Sequence, residues 1–357
     1  MIRVGIIGCG RISDLHAQAY LEHPDAVIAA ICDPVPENLA ARGAAWGVAE
    51  ADRHADHREL LARDDVDMVE ILVPHHLHAP IALAAMDAGK HVSLQKPMAT
   101  SLADADAMIA RAAERGVVFK VFENFVFYPP IQRAKELVDA GEIGEVRGIR
   151  LKSNPGWSPT AWEVPAAASA WRADAEQCGG GPLVFDDGHH KFAIAWHFLG
   201  LAERVHAFIG SAYDGLLDAP SVVSWVHPGG AVGSLDVIYS PDLKLDTAHY
   251  AQDDRVEITG TRGVIWVTRG HGRMLDAAPV VLHRDGATIA YDDMPTGWET
   301  SFVRSGRHFV DALRNGTEPL LTGEQGRQVL AFALAAQESA RTGLAAVPGG
   351  GAAGDAR

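Results

Sequence analysis

Three cysteines in 357 residues, Cys9, Cys32 and Cys178, are few, odd in number and widely spaced. They fit a reducing cytoplasm and no disulfide framework. Basic residues are also short: 31 Lys and Arg stand against 46 Asp and Glu, a formal net charge of −15. A nucleic-acid partner needs a basic surface, so none is expected, and nothing draws the chain to an anionic membrane. No apolar run approaches the ~20 residues that cross a bilayer. The opening MIRVGIIGCG has glycines where a signal peptide needs an apolar stretch. No internal repeat is visible. Apolar residues, in contrast, make up 48% of the chain, enough to bury a core and against a disordered chain. The length suits two domains. These features together predict a soluble, acidic, cytoplasmic, two-domain protein.

The first third alternates short apolar runs with helical patterns. Ile2–Gly8, Val27–Cys32, Val66–Val73, His91–Leu94 and Val117–Phe122 read as strands. Ser13–Leu21, Glu37–Trp46, Ala79–Ala88 and Ala103–Arg115 read as the helices between them, the last two stopped by Gly89 and Gly116. Buried strands alternating with helices predict a doubly wound parallel sheet. After about residue 123 a helix at Ile131–Ala140 precedes the runs Val146–Leu151, Val205–Ile209, Ser221–Val226, Val232–Ile238, Val256–Thr259 and Val264–Thr268. Their alternation predicts an open, mostly antiparallel sheet. Phe302–Arg314 and Glu324–Arg341 return to helical periodicity. The predicted divisions are 1–123, 124–347 and a fraying Gly/Ala-rich tail, 348–357. Within the second pattern Ser153–Pro182 stands apart: it is rich in Gly, Pro and Ala and holds three of the eight tryptophans, Trp157, Trp162 and Trp171. A lid over a site and packing beneath the second sheet both fit such a segment.

Gly8-Cys9-Gly10-Arg11-Ile12-Ser13 follows the first strand and opens a helix. Gly8 permits the tight turn, Gly10 lets the backbone approach a pyrophosphate, and the helix N-terminus at Arg11 and Ile12 stabilises its charge. Ser13 takes the third glycine's place and is small enough for close packing. Asp33 ends the second strand, where an acid accepts from ribose hydroxyls and repels a 2′-phosphate. The cofactor expected here is therefore NAD rather than NADP.

Three further groups are candidates for chemistry. Lys96, in Gln95-Lys96-Pro97, lies past the carboxyl end of a strand, where such sheets bind ligands. An ammonium there can donate to a substrate oxygen, although by position alone an exposed surface lysine is the plainer reading. Asp186 and His190 are four apart and would share a helical face, a carboxylate orienting an imidazole for acid/base work. A solvated helix start with Asp as its cap is the plainer alternative, and Gly179-Gly180-Gly181 before it argues for close backbone approach. His75, His76 and His78 crowd the loop after Pro74. Three histidines so close do not easily ligate one metal, so no metal is expected, and a loop touching cofactor or substrate is the better reading. His54 and His57 read as a solvated helix start.

These pieces together resemble the glucose–fructose oxidoreductase / inositol dehydrogenase / MocA family, from Ile2 to about Val347. The glycine turn with His16, Val73-Pro74-His75-His76-Leu77-His78, Gln95-Lys96-Pro97, Trp171-Arg172 followed by Asp186 and His190, and Glu318-Pro319 with Thr322-Gly323-Glu324 carry the likeness. The resemblance implies a Rossmann domain followed by an α/β domain with an open sheet, homodimers or homotetramers through that sheet, and NAD(P)-dependent chemistry at a carbinol of a sugar or cyclitol. It implies Lys96, Asp186 and His190 as the catalytic set, with His190 taking the proton and Lys96 holding the developing alkoxide. Gly8, Gly10, Arg11, Ile12, Asp33, Pro74, His75, His78 and Gln95 are the cofactor candidates. Lys96, Asn124, Trp157, Trp162, Trp171, Arg172 and His189 are the substrate candidates. Gln95 stands where the family usually has glutamate, removing a charge beside Lys96. His75 stands where asparagine is usual, and Asp187, His189 and Lys191 add polar groups. The alternative is a redox-neutral enzyme that cleaves a glycoside using tightly bound NAD. A non-catalytic NAD-binding regulator fits less well, because lysine, aspartate and histidine are all retained.

Overall fold

Strands covered on both faces leave near-continuous apolar runs in a sequence, and the first sheet is built from such runs. The computed structural model describes residues 1–164, 166–212 and 215–350. Its first part runs β1 (Ile2–Ile7), α1 (Ser13–Leu21), β2 (Ala26–Cys32), α2 (Pro36–Trp46), β3 (Arg53–His54), α3 (His57–Leu61), β4 (Met68–Ile71), α4 (His78–Asp87), β5 (His91–Gln95), α5 (Leu102–Arg115) and β6 (Phe119–Phe122). All pairs are parallel, in the order β3-β2-β1-β4-β5-β6. The order reverses between β1 and β4, the switch point where such sheets bind ligands. Strand β3, only two residues long, left no pattern to read.

The second part continues with α6 (Pro129–Asp139), β7 (Val146–Pro155), α7 (Ala166–Ala173), α8 (Ala175–Cys178), a π-helical turn at Pro182–Asp187, and α9 (Gly188–Leu199). Then come β8 (Arg204–Ile209), β9 (Ser221–Val226), β10 (Val232–Val237), β11 (Gln252–Gly260), β12 (Gly263–Val267), β13 (Val280–Arg284) and β14 (Ala287–Tyr291). They form one sheet, β14-β13-β12-β11-β7-β10-β9-β8, antiparallel except for the β7–β10 pair. The β13–β14 hairpin went unpredicted, although Asp285-Gly286 at its tip, with φ of 51° and 75°, is a strong hairpin signal. On one face Trp225 packs on Phe192 and Phe332, with ring centres 6.2 and 5.0 Å away. Elsewhere on the sheet Phe208, Val222 and Val232 are exposed. The segment Ser153–Pro182 is not one long loop: it contains the end of β7 and the helices α7 and α8, although Pro165 lies outside the described residues. The last seven residues of the predicted tail lie outside them too.

The chain closes with α10 (Glu299–Asn315) and α11 (Gly323–Thr342). It divides into two units, one of Met1–Asn124 with Ser301–Leu330, the other of Phe125–Thr300 with the chain from Ala331 onward. The predicted boundaries assigned the whole C-terminal helical region to the second domain. The reason for the difference is packing. Phe309 and Val310 of α10 are fully buried in the cluster formed by Val4, Ile6, Ile28 and Ile31. Gly306 allows the approach, since a Cβ there would lie 2.4 Å from that of Ala19. Among the described residues, no helix is long and apolar enough to cross a membrane.

Lys120 of β6 ties α10 to the sheet. Its fully buried ammonium donates to the Ser305 carbonyl at 3.0 Å and hydroxyl at 2.7 Å. Burial pushes the group down to about 7, against the upward pull of Glu70 and Glu123. Above that pH the unfolded chain holds a proton that the folded chain has released, so stability rises with pH. Urea unfolding between pH 7 and 9 should show this contribution as a slope of about 1.4 kcal/mol per pH unit. Lys120→Met should lack it, and equal slopes in both proteins would contradict the assignment.

Candidate active site

In the first unit the glycine turn is built at the switch point. Gly8 has φ +98°, and a Cβ there would sit 2.4 Å from the Leu72 carbonyl oxygen. Its own N–H donates to the Cys32 carbonyl at 2.8 Å. Gly10 is different: a Cβ there would meet no protein atom within 4 Å. Packing does not demand glycine at that position, but a ligand lying against the backbone would. Ser13 is fully buried and its hydroxyl donates to the Gly10 carbonyl at 2.5 Å, so it closes the turn as well as leaving room. Ile12, at the N-cap of α1, supplies no side-chain cap, which suits a helix end that receives an anion.

Asp33 is the hub of this region. Its Oδ2 accepts from the Cys9 N–H at 2.7 Å, and its Oδ1 from the Val35 N–H at 2.9 Å and Asn38 Nδ2 at 3.1 Å. Oδ2 has one donor and so keeps capacity for a hydroxyl. Burial, then the Asp33 charge, pushes the neighbouring thiols Cys9 and Cys32 up to about 12, away from the thiolate form. The open Gly10, the uncapped helix and the spare capacity of Asp33 fit a dinucleotide.

The loops after β4 and β5 are joined by His78. Its Nδ1 lies 2.8 Å from the Pro97 carbonyl and its Nε2 2.9 Å from that of Val73. Both ring nitrogens therefore face backbone, and the imidazole clamps the loop of Pro74 and His75 to that of Lys96. His75 is buried with its ring 5.5 Å from His78, whereas His76 is exposed.

The departure at Gln95 has a structural cause. A chain of hydrogen bonds runs from Tyr20 to Lys96. Tyr20 donates to Glu70 Oε2 at 2.5 Å, and His16 Nδ1 meets Glu70 Oε1 at 2.8 Å. Gln95 Nε2 then donates to His16 Nε2 at 2.9 Å, while Gln95 Oε1 accepts from the Lys96 N–H at 2.8 Å. With its Nδ1 proton directed at Glu70, the ring offers a lone pair to residue 95. A glutamine amide can donate to that lone pair; a glutamate carboxylate cannot. The acid missing at residue 95 is thus found at Glu70, which is fully buried. An acid inside the apolar run of β4 was the available signal, and it was missed. Asn124, expected near substrate, is buried and donates to the Ser301 hydroxyl at 2.8 Å.

In the second unit, α9 begins only at Gly188. Asp186 lies in the π-helical turn before it, which corrects the expected α-helical spacing of Asp186 and His190. Arg172 Nε donates to Asp186 Oδ2 at 2.8 Å, and its guanidinium lies over Trp171 at 4.2 Å. The i,i+4 ion pair on this element is Lys191 with Asp187, at 2.9 Å. Lys191 also reaches Asp254 Oδ1 at 3.0 Å, and Asp254 Oδ2 meets His271 Nδ1 at 2.7 Å. Gln252 Nε2 lies 2.7, 2.8 and 2.9 Å from Ser153 Oγ, Asp187 Oδ2 and Asp254 Oδ1, its two hydrogens shared among the three acceptors. Burial raises the carboxyl groups of Asp187 and Asp254, but Lys191 and His271 acting together with their neighbours outweigh it, and both stay below the usual range. Burial lowers Lys191, but the same two carboxylates outweigh it and hold it above its usual value.

Aromatic rings surround this cluster. His190 lies 4.9 Å from Phe125 and 6.3 Å from His271. Trp162 packs edge-on to His249, Tyr250 and Trp298. His189 is buried beside Phe185, with ring centres 5.7 Å apart. Trp157 is half exposed, with Lys244 at 5.9 Å from its ring. Asp254, Gln252 and His271 escaped the sequence reading. The signals were a strand carrying Asp253-Asp254 and a histidine flanked by Gly270 and Gly272.

Glu70→Gln would leave Tyr20 or His16 facing an amide N–H in place of an acceptor. Equilibrium unfolding should show a loss of about 1–3 kcal/mol. A change below about 0.5 kcal/mol would contradict the hydrogen-bond chain.

Comparison with known proteins accords with both units. The family profile described as oxidoreductase family, NAD-binding Rossmann fold, matches residues 2–123, and the GFO/IDH/MocA C-terminal domain matches residues 131–266. A D-apiose dehydrogenase of Paraburkholderia graminis is 29% identical over 95% of this chain and 87% of its own. A myo-inositol 2-dehydrogenase of Thermotoga maritima is 27% identical over 95% of this chain and 96% of its own. The crystal structure of an Agrobacterium radiobacter oxidoreductase in complex with NAD+, L-tartaric acid and magnesium superposes with a TM-score of 0.85 at 25% identity, covering 98% of each chain. The chain is a member of the GFO/IDH/MocA family of NAD-binding oxidoreductases.

Proposed function

We propose that this chain is an NAD-dependent dehydrogenase that oxidises a secondary hydroxyl of a sugar, a sugar derivative or a cyclitol. One observation carries the reading: the dinucleotide cradle of Gly8, Gly10 and Asp33 shares a chain with buried imidazoles and carboxylates set among tryptophans. The relatives named for D-apiose and myo-inositol support the same substrate class. When bound, the nicotinamide supplies the hydride acceptor. Gly10 and the first turn of α1 receive the pyrophosphate. Asp33 takes the ribose hydroxyls and, by its charge, disfavours NADP.

Lys96 stabilises the developing alkoxide by charge, and its backbone is held by Gln95, whose amide spans its N–H and His16. His190 takes the hydroxyl proton, and Asp186, which accepts from Arg172 Nε, completes the catalytic set. Trp162 and Trp298 offer apolar faces to sugar C–H groups and exclude water. The exposed Phe208, Val222 and Val232 support a homodimer or homotetramer through the second sheet.

The test is NADH formation, followed by near-ultraviolet absorbance, over free sugars, cyclitols, anhydrosugars and glycosides. The wild-type chain should turn over one group, faster with NAD than with NADP. Lys96→Met and His190→Ala should each lower kcat about 100-fold or more while NAD affinity stays nearly unchanged. Full turnover in either variant, or cleavage of a glycoside without NADH, would overturn the reading.

A further inference from the structure

The reaction proposed above leaves one Asp–imidazole pair without a task. His271 is 7% exposed and lies in the loop after β12. Asp254 Oδ2 accepts from both its backbone N–H at 3.1 Å and its Nδ1 at 2.7 Å. Two bonds to one carboxylate oxygen fix the ring plane and keep the proton on Nδ1, leaving Nε2 as an acceptor. Among the described residues Nε2 makes no hydrogen bond.

The local backbone is shaped for this contact. A Cβ on Gly270 would lie 2.4 Å from that of Asp254, and one on Gly272 would lie 2.8 Å from the Gln252 carbonyl oxygen. Only glycines bring the loop so near β11. Asp254 is held in turn by Lys191, one helical turn from Asp187. The ring of His271 is walled by Trp298 at 4.7 Å and Tyr250 at 5.7 Å. His190 stands 6.3 Å away, centre to centre. A ring buried only to fill space needs neither a fixed tautomer nor an open acceptor beside another imidazole.

We propose that His271 is a specificity-determining residue whose Nε2 accepts a hydrogen bond from a second hydroxyl of the same substrate that His190 engages. The two imidazoles, 6.3 Å apart and both packed on Phe125, would each take one hydroxyl. With hydrogen bonds of about 2.8 Å, the spacing suits hydroxyls on adjacent or next-adjacent carbons. The substrate class narrows to ring polyols carrying such a pair. This inference rests on the reading of the chain as an enzyme of polyols.

The test measures binding, so that it does not depend on turnover. Cyclitols and pyranoses, each with its singly deoxygenated analogues, are titrated calorimetrically into wild type, His271→Ala and Asp254→Asn in the presence of NADH. Wild type should prefer one full polyol over one of its deoxy analogues by about tenfold or more. His271→Ala should bring the two within about threefold, and Asp254→Asn should fall between. His271→Gln, which keeps a donor and an acceptor, should recover part of the preference and replaces the alanine variant if that one does not fold. An unchanged preference in His271→Ala overturns the inference, even where the wild type forms NADH. The expected loss of preference without NADH formation from NAD upholds it and overturns the dehydrogenase reading instead. Absence of polyol binding by the wild type overturns both.

Discussion

The buried ammonium of Lys191, held between Asp187 and Asp254, is the constraint on which the second unit's chemistry depends. A lone ammonium or carboxylate in such a place would lose several kcal/mol of hydration. Together the three groups satisfy one another, and Gln252 and Ser153 take the remaining lone pairs. The geometry follows from where each sits. Asp187 and Lys191 are one helical turn apart, at the start of α9. Asp254 lies on β11 and Ser153 on the neighbouring β7. The cluster therefore fixes the helix that carries His190 against the sheet, and it fixes the carboxylate that orients His271. Polar groups that seemed to crowd the sequence motif form its foundation.

The first unit solves a similar problem without a cation in contact. Glu70 is as deeply buried as any residue in the chain, yet its oxygens meet a phenol and an imidazole rather than an ammonium. The price is a strict order of donors and acceptors. Once His16 points Nδ1 at Glu70, residue 95 must donate, and the glutamine at that position does so while its carbonyl oxygen holds the Lys96 N–H. The position next to the lysine is thus set by a carboxylate two side chains away. Such chains act as units, so substitutions along this one should not be additive.

The sequence was most legible where one local rule sufficed. The parallel strands of the first sheet left unbroken apolar runs, Gly8 marked a turn that no other residue tolerates, and Asp33 stood at the end of its strand. These needed no knowledge of distant contacts. The return of α10 to the first unit was not legible, because its apolar stripe of Phe302, Phe309 and Val310 says that the helix is buried but not against what. The same holds for Asp254 and His271, separated by a strand and joined only by the fold. The Asp186–His190 spacing was read at α-helical pitch, and the π-helical turn at Pro182–Asp187 broke that assumption. Gln95 could not be understood from its motif alone, since its partner His16 lies 79 positions away.

The most direct measurement of this account is a double-mutant cycle between Lys191 and Asp254, using Lys191→Met, Asp254→Asn and the pair, followed by equilibrium unfolding. Lys191→Met alone leaves two buried carboxylates uncompensated and should cost about 3–5 kcal/mol. Adding Asp254→Asn removes one of them, so the double variant should lose markedly less than the sum of the singles, with a coupling of about 1.5–3 kcal/mol. Costs that add to within about 0.5 kcal/mol would contradict the account, because the ammonium would then not be the anchor of this cluster.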